Sequence, residues 1–372
     1  MGQDHVGILL NSSMYRGIPQ RKTGQESIAN YEEAARANGF IPCFLRLGDI
    51  HVENNSSIAY VQNGQEYVRM TIPTPRVIHN RALYRDASAH RKIRSLVSQG
   101  MCIFNINNRY GKNVIHRLLQ EDPYLREYLP ATAEASSASL RKMMSEYDDL
   151  ILKPARGSVG DGIMRVQRDH SGWTITYPSK SRKGWVTDRI SRDSFPAWLQ
   201  RLLMRTSYLV QERIPLAEYD SRPLDLRVTV QRGTFGAWSV TGIFVKIAPQ
   251  NSFLSNIGKG GRPFPVQLLN ECLPARLVPN ALYHVEMLAL SIARHLSARL
   301  PLLADLGIDI GLTETGQPYF IECNGRDQRY GFRKAGLAEI WKETYRRPMD
   351  FARYLYDQEQ PGPMIEWSLT KR

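Results

Sequence analysis

The chain is poor in cysteine and has no long hydrophobic run. Its 372 residues include four cysteines, Cys43, Cys102, Cys272 and Cys323, and no two of them have the spacing of a zinc or dithiol redox motif. No window holds the roughly eighteen consecutive apolar residues that a membrane-spanning helix needs, and the first residues lack the basic segment and cleavage site of a secretory signal. These absences predict a reduced, cytoplasmic protein without a membrane partner.

The composition is that of a folded, basic protein. Apolar residues make up 42% of the chain and aromatic residues 9%, which excludes global disorder, and the length predicts two or three packed subdomains. The net charge of +13 allows a polyanionic partner. Because the basic residues are spread without an aromatic stripe, however, a basic surface around a small anionic ligand is favoured over nucleic-acid binding. The oligomeric state stays open, a homodimer included.

The pattern of apolar residues predicts three α/β or α+β units and a tail. Residues 1–120 open with a β-α-β order typical of a parallel sheet, and residues 121–210 combine helices with antiparallel strands. Residues 211–345 contain two alternating strands, a loop at 251–265, a long helix at 281–300 and a closing hairpin at 307–324. Residues 346–372 are predicted to be a tail, and no element is predicted between 46 and 75.

The predicted hairpin carries the most specific constellation. If residues 315 and 316 form a two-residue turn, antiparallel pairing places Asp309 opposite Glu322, and the strand period places Asn324 on the same face. Facing carboxylates repel each other unless a cation lies between them, and these oxygen ligands suit magnesium beside phosphate. An exposed acidic hairpin is the alternative, which the apolar residues flanking both acids disfavour.

A strand followed by a glycine-rich turn forms the second constellation. The strand ends in Lys153, and the turn contains Gly157, Ser158, Val159, Gly160 and Gly162. Glycines let backbone N–H groups close around phosphate oxygens, to which the lysine adds a positive charge. Because neither a Walker loop nor a dinucleotide fingerprint is present, an ordinary hairpin turn is the alternative.

Two later segments carry polar residues suited to nucleotide contacts. The apolar strand at 208–211 ends at Gln211 and Glu212, where backbone groups could meet an adenine edge. Further on, Arg227 and Lys246 could neutralise charge moving between phosphate and acceptor. Asp225 shares a strand face with Arg227, and for Asp225 a surface salt bridge is an equally good interpretation.

The order of these motifs resembles that of the ATP-grasp superfamily. More closely, the chain looks similar to the YheC/YheD group of endospore coat-associated proteins, from its opening strand to about residue 336. The resemblance implies an ATP-grasp fold of the α/β (α+β) class, in which an N-terminal parallel-sheet domain precedes two α+β subdomains that clasp the nucleotide. It also implies ATP and Mg²⁺ as cofactors.

The resemblance further implies a role for each motif. Lys112, on a predicted helix, and Lys153 would contact the phosphates of ATP, and residues 157–162 would form a lid over them. The other implied site residues are Gln211, Glu212 and Ile214 for adenine; Glu218 for ribose; Arg227, Lys246 and Asn256 near the γ-phosphate; Asp309, Glu322 and Asn324 for one or two magnesium ions; and Arg326, Gly260 and Gly261 for the substrate. Lys246 stands where related ligases commonly carry arginine.

The activity that the resemblance implies is ADP-forming ligation. A carboxylate would be phosphorylated by ATP, and the acyl phosphate would then be attacked by the amine of an amino acid, a peptide or another nucleophile. An ATP-grasp kinase that phosphorylates a hydroxyl group and a non-catalytic spore-coat scaffold are the alternatives. The group also implies an association with sporulation.

Overall fold

The computed structural model describes residues 4–157, 160–179 and 184–358. Within these ranges the strands form three sheets, which follow one another along the chain. No helix of the described residues is both long and apolar enough to cross a lipid bilayer.

A seven-stranded sheet occupies the N-terminal region. Its strands are β1 (Asp4–Leu9), β2 (Phe40–Leu45), β3 (Ile50–His51), β4 (Ser56–Asn63), β5 (Glu66–Pro73), β6 (Val77–Asn80) and β7 (Cys102–Phe104), and the helices of this region are α1 (Ser12–Arg16), α2 (Ile28–Ala37), α3 (Ala87–Ser98), α4 (Lys112–Gln120) and α5 (Pro123–Arg126). β1, β2, β6 and β7 run parallel, which confirms the predicted parallel sheet. The side chain of Ser27 accepts a hydrogen bond from the Asn30 backbone and caps α2.

The hairpin of β4 and β5 was not predicted from the sequence. β5 pairs only with β4 and forms an edge of the sheet. On β5 only Tyr67 and Ile72 are buried, so the strand lacks the regular alternation by which half-buried strands are recognised.

The second sheet has six strands, all antiparallel. They are β8 (Thr132–Glu134), β9 (Asp149–Pro154), β10 (Met164–Asp169), β11 (Gly172–Pro178), β12 (Trp185–Ile190) and β13 (Tyr208–Glu212), with the helices α6 (Ser137–Glu146) and α7 (Ala197–Arg205). Leu140 of α6 and Leu199 of α7 are buried in one core with Leu152 and Val210 of the sheet. The sheet thereby positions Lys153 on β9 opposite Leu209 and Gln211 on β13 opposite Ile151.

The third sheet also has six strands. They are β14 (Glu218–Tyr219), β15 (Arg222–Arg232), β16 (Trp238–Ile247), β17 (Arg262–Pro265), β18 (Asp305–Leu312) and β19 (Pro318–Asn324), and the helices are α8 (Leu269–Cys272), α9 (Val278–Ser297), α10 (Tyr330–Lys334) and α11 (Ala338–Asp357). The loop predicted at 251–265 is wrong at its end, where β17 pairs with β16. Pro263 and Pro265 are tolerated because β17 is an edge strand.

Helix α11 joins the first and third sheets. Its residues Tyr345, Met349 and Phe351 share a core with Val6 and Phe40 of the first sheet. The expected boundary between residues 345 and 346 therefore falls inside a buried helix, because a stripe of α11 supplies part of the N-terminal core. Residues 359–372 of the expected tail lie outside the described residues.

Candidate active site

A cavity opens between the three sheets. The loop before α4, the end of β9 and strand β19 contribute to its wall. Its polar lining includes Asn108, Lys112, Lys153, Glu322, Asn324 and Arg326. All of these except Asn108 were predicted from the sequence as site residues, so motifs far apart in the chain converge on one cavity.

The hairpin of β18 and β19 pairs Asp309 with Glu322, as predicted, but through a different turn. Near the turn, the pairing is displaced by one residue from the predicted register, so that Leu312 lies opposite Pro318 rather than opposite Tyr319. The predicted two-residue turn is therefore wrong, because the loop is longer. A β-bulge between Asp309 and Ile310, opposite Ile321, restores the register at Asp309. The two departures compensate, so Asp309 and Glu322 face each other.

Three charged residues form a row across this sheet. Arg227 on β15 pairs in register with Asp309 on β18, which pairs with Glu322 on β19, and directly paired residues share a face. Arg227 Nε donates to Asp309 Oδ1 at 2.7 Å, and Lys246 Nζ lies 2.9 Å from the same oxygen. Lys246 also lies 3.0 Å from Asp225 Oδ1. Because Asp225 is only 5% exposed, this is a buried ion pair rather than the surface salt bridge that the sequence allowed.

Neighbouring cations keep the Asp309 carboxylate charged. Burial alone would raise the pKa of Asp309, but Arg227 and Lys246 outweigh it and lower the pKa to about 2. Glu322 Oε1 in turn accepts a hydrogen bond from Lys112 Nζ at 2.8 Å. The carboxylate repulsion that predicted a metal ion is thus already offset by side-chain cations.

The oxygen donors of the hairpin fit magnesium. Asp309 and Glu322 place carboxylate oxygens on one face of the hairpin, and Asn324 lines the same cavity as Glu322. Among the described residues, no group of three or more histidine, cysteine or acidic residues could hold a metal ion. A bound magnesium ion would therefore take its remaining ligands from phosphate oxygens and water, as this ion usually does.

Asp327 completes the ion-paired row and was missed in the sequence. It is fully buried, and it accepts hydrogen bonds from Arg227 Nη1 at 2.8 Å and from Thr229 Oγ1 at 2.5 Å. Gly307 of β18 leaves the space that this carboxylate occupies, since a Cβ atom there would lie 2.3 Å from Asp327 Oδ1. In the sequence, the one feature that could have indicated Asp327 as a site residue is its position three residues after Asn324.

Gly307→Ala is expected to weaken the protein and to separate Asp327 from Arg227. The added methyl group would also lie 2.9 Å from Arg227 Nη1, so two buried charges must move apart; overpacking of this kind costs about 1–3 kcal/mol. Urea unfolding measures the loss. Gly48→Ala is the control, because its Cβ would meet nothing closer than 4.0 Å. Equal stabilities of the two variants would contradict this account.

A second buried ionic cluster lies between the first and third sheets and was also missed. Arg81 donates to Glu26 Oε1 at 2.8 Å, to Asp305 Oδ2 at 3.0 Å and to the Asp327 carbonyl at 2.6 Å. Arg329 also pairs with Asp305. Burial alone would raise the pKa of Asp305, but the Arg329 and Arg81 guanidinium groups hold it far below its ordinary value. The cluster fixes β6 and the segment before α2 against the row of charges.

The two predicted phosphate-binding lysines lie at the cavity wall. Lys112 Nζ donates to the Gly157 carbonyl at 3.2 Å in addition to Glu322. Lys153 is 7% exposed and donates to Gln211 Oε1 at 2.7 Å. The pKa of Lys153 is lowered to about 8, because burial and the Lys112 ammonium together outweigh the opposing effect of Glu322. Two ammonium groups beside one carboxylate leave a net positive charge at this part of the cavity wall.

The predicted adenine segment lies beside Lys153. Gln211 is buried and donates to Thr132 Oγ1 at 2.7 Å, and Glu212 Oε2 accepts from the Ala131 backbone at 3.2 Å. Ile214 is buried, whereas Glu218 is exposed on β14. None of Gln211, Glu212, Ile214 and Glu218 is among the described residues that line the cavity.

The glycine-rich turn is described at Gly157, Gly160 and Gly162, whereas Ser158 and Val159 lie outside the described residues. Gly162 has a φ of +73° and its carbonyl accepts from Tyr208 Oη at 3.1 Å. Gly160, with a φ of +69°, lies beside the side chain of Leu254. These positive φ angles are the conformations that glycine alone adopts readily.

The loop with Asn256, Gly260 and Gly261 forms a tight turn. Asn256 Oδ1 accepts from the Gly258 backbone at 2.8 Å, and a Cβ atom on Gly261 would lie 2.0 Å from the Ser255 carbonyl. Gly260 has a φ of +98°. These residues therefore have structural reasons for their identity. Arg326 Nη1 donates to Asn11 Oδ1 at 3.2 Å and borders the cavity.

A family model matches most of the chain. It is described as YheC/D like ATP-grasp and matches residues 100–355. Two proteins of Bacillus subtilis (strain 168) are similar in sequence. "Endospore coat-associated protein YheD" is 27% identical over 83% of this chain and 69% of its own length, and "Endospore coat-associated protein YheC" is 25% identical over 67% and 68%.

Two solved structures share the fold. D-alanyl-alanine synthetase A from Vibrio cholerae has a TM-score of 0.52 at 13% identity, covering 96% of this chain and 97% of its own. ATP-grasp ligase PsnB complexed with a minimal precursor has a TM-score of 0.51 at 14% identity, covering 92% of this chain and 100% of its own. The predicted ATP-grasp fold is confirmed, and the chain belongs to the YheC/D-like ATP-grasp family.

Proposed function

We propose that the protein is an ADP-forming ligase that uses Mg–ATP to activate a carboxylate for attack by an amine. The observation that carries the proposal is the convergence of Lys112, Lys153, Glu322 and Asn324 on one cavity, beside the buried row of Arg227 and Asp309. Lysines from two separate elements provide the charge for a polyphosphate, and the hairpin provides oxygen ligands for its metal ion.

We assign each of the predicted site residues a role in this reaction. Lys112 and Lys153 bind the phosphates of ATP, and the glycines Gly157, Gly160 and Gly162 contribute backbone to the cover over them. Gln211, Glu212 and Ile214 form the adenine site, and Glu218 binds the ribose. Asp309, Glu322 and Asn324 hold magnesium, which supplies charge neutralisation at the phosphates. The loop near the γ-phosphate and the substrate contains Asn256, Gly260 and Gly261. Arg326 binds the carboxylate substrate.

The reaction then proceeds in two steps. A carboxylate oxygen attacks the γ-phosphorus, the bond to the β-phosphate oxygen breaks, and ADP leaves. The amine attacks the acyl carbon, loses a proton and displaces phosphate. Arg227 and Lys246 would stabilise the charge that moves between these groups, and water must be excluded because it would hydrolyse the acyl phosphate.

The substrates that we propose are an amino acid or peptide carboxylate and an amino acid or peptide amine. PsnB, which shares the fold, was solved with a minimal precursor and with the precursor peptide PsnA2, and D-alanyl-alanine synthetase is named for a dipeptide. The endospore coat association in the names of YheD and YheC supports a role associated with sporulation. Intact acids at 309 and 322, each paired with a cationic side chain, argue against a catalytically inert scaffold.

Trapping of the acyl phosphate tests the proposal. The full chain is incubated with ATP, magnesium, hydroxylamine and pools of amino acids and short peptides, and hydroxamate and ADP are measured. We expect hydroxamate to form in proportion to ADP. A phosphorylated hydroxyl compound in place of hydroxamate would establish a kinase instead, and a chain that binds no nucleotide would support the scaffold role.

ATP affinity is expected to fall above pH 8 because Lys153 loses its proton there. The folded-state pKa of about 8 lies below the ordinary lysine value of 10.5, so the ammonium form that binds phosphate is fully present only below pH 8. The Kd for Mg–ATP should rise by up to about tenfold per pH unit between pH 8 and 9, as measured by calorimetry. Lys153→Arg should flatten this dependence, since guanidinium stays charged. Identical pH profiles would contradict the assignment of Lys153 to the phosphates.

A further inference from the structure

Asn108 is a buried polar residue of the cavity that the proposed reaction leaves without a role. It lies in the loop before α4, is 7% exposed and lines the cavity. Its amide nitrogen donates to the carbonyl oxygens of Asn80 at 2.7 Å and Ala82 at 3.0 Å. Because a carbonyl oxygen only accepts hydrogen bonds, these two contacts fix which end of the amide is the nitrogen.

The amide oxygen is the end without a partner. Asn108 Oδ1 is buried and forms no hydrogen bond with any of the described residues. A buried acceptor that stays unpaired is costly in a folded protein, which indicates that a ligand supplies the missing donor. Ionised phosphate and carboxylate groups only accept hydrogen bonds, so they cannot fill this place. An N–H or O–H group of the ligand can.

The surroundings of Asn108 belong to the substrate end of the cavity. Its backbone packs on Gly325, where a Cβ atom would lie 3.0 Å from Asn108 Cα. The next residue is Arg326, to which we assign the carboxylate substrate, and Arg326 Nη1 donates to the Arg81 carbonyl at 3.3 Å. Consecutive carbonyl groups, those of residues 80 to 82, therefore bind both Asn108 and Arg326.

The attacking amine is the donor that the proposed ligation brings to this place. It must come within about 3–3.5 Å of the acyl carbon, and therefore close to the group that binds the carboxylate. An amine needs its lone pair for the attack. A carboxylate acceptor would favour the protonated ammonium form, which has no lone pair, whereas the neutral Asn108 amide can bind an N–H group without that effect.

We propose that Asn108 Oδ1 accepts a hydrogen bond from the amine substrate and directs the amine lone pair at the acyl phosphate. The inference rests on the proposed function, since it requires that reaction. The amine nitrogen bonds to the acyl carbon, the bond from this carbon to the phosphate oxygen breaks, and the proton that the nitrogen loses passes to the departing phosphate. Asn108 takes no proton; it favours attack by the amine over attack by water.

The division of the acyl phosphate between amine and water tests this role. Asn108→Leu removes the acceptor at similar volume, and Asn108→Ser removes it while keeping a hydroxyl that can donate to a carbonyl group. The full chain is incubated with ATP, magnesium and the pools of amino acids and short peptides, and amide and ADP are measured. We expect the ratio of amide formed to acyl phosphate hydrolysed to fall about tenfold in both variants, the equivalent of one hydrogen bond.

The ratio also distinguishes the outcomes. An unchanged ratio in the Asn108 variants, even at lower turnover, would show a merely structural role and overturn the inference while leaving the proposed function intact. A weaker affinity for Mg–ATP with an unchanged ratio would overturn it in favour of a metal ligand. A wild-type chain that forms neither hydroxamate nor amide would overturn both proposals. Asn107→Leu, outside the described lining of the cavity, is the matched control, and thermal unfolding of each variant confirms that it is folded.

Discussion

Glu322→Gln is expected to lower ATP-dependent turnover by about a hundred- to a thousandfold, the usual effect of removing one preorganised charge-stabilising contact. Glu322 is more accessible than Asp309 in the proposed magnesium set, with 27% against 10% of its side chain exposed, and it contacts Lys112 at 2.8 Å. Glutamine retains the shape but removes the charge that both magnesium and the lysine need. The hydroxamate assay measures the change.

The control separates loss of the site from loss of the fold. Glu314, an exposed acid in the turn of the same hairpin, lies away from the cavity lining. Glu314→Gln should keep wild-type turnover, and both variants should unfold at nearly the wild-type temperature, because neither position is buried. Normal magnesium-dependent turnover by the Glu322 variant would remove that residue from the metal set.

Arg227→Met is expected to cost about 3–5 kcal/mol of unfolding free energy, the range for breaking a buried ion pair from one side. The guanidinium group contacts Asp309 at 2.7 Å and Asp327 at 2.8 Å, and both carboxylates are buried. Methionine fills similar space but leaves Asp327 with the Thr229 hydroxyl and Asp309 with Lys246. Urea unfolding at pH 7 measures the loss.

The pH dependence identifies the cause of this loss. In the wild type, the pKa of Asp309 is lowered to about 2 from its ordinary 3.8, so its contribution is fully present above pH 3.8 and lost as pH falls through 2. Without Arg227 the pKa of this carboxyl rises, and protonation relieves the unpaired charge. The stability difference between variant and wild type should therefore shrink between pH 7 and 4. The control is Arg168→Met, which breaks an exposed ion pair with Asp148 and should change the free energy of unfolding by less than about 0.5 kcal/mol. If the loss in the Arg227 variant did not depend on pH, its cause would be lost packing rather than the unpaired charge.

Local patterns in the sequence predicted much of the fold and several members of the site. Strand alternation and turn residues placed Asp309, Glu322 and Asn324 on one hairpin, although its pairing arose from a longer turn and a compensating bulge. The strand at Arg262–Pro265 escaped detection because prolines disguise an edge strand. The bulge and the edge strand depend on hydrogen bonds between strands, which the spacing of apolar residues in the sequence does not reveal.

The missed residues are those whose roles depend on distant neighbours. Asp327 follows Asn324 closely in the chain, yet its function is set by Arg227 and by the space above Gly307. Arg81 meets Asp305 across more than two hundred residues. A sequence pattern identifies each residue as charged but cannot specify its partner, so buried ion-pair networks become visible only in the structure.

The central claim is that the cavity of Lys112, Lys153 and Glu322 transfers the γ-phosphoryl group of ATP to a carboxylate. Amino acids and short peptides labelled with ¹⁸O in their carboxylates, supplied with ATP and magnesium, test it directly by mass spectrometry of the released phosphate. Each turnover should place one ¹⁸O atom in phosphate, because the carboxylate oxygen leaves with it. Phosphate without label, released as ATP is consumed, would contradict the claim.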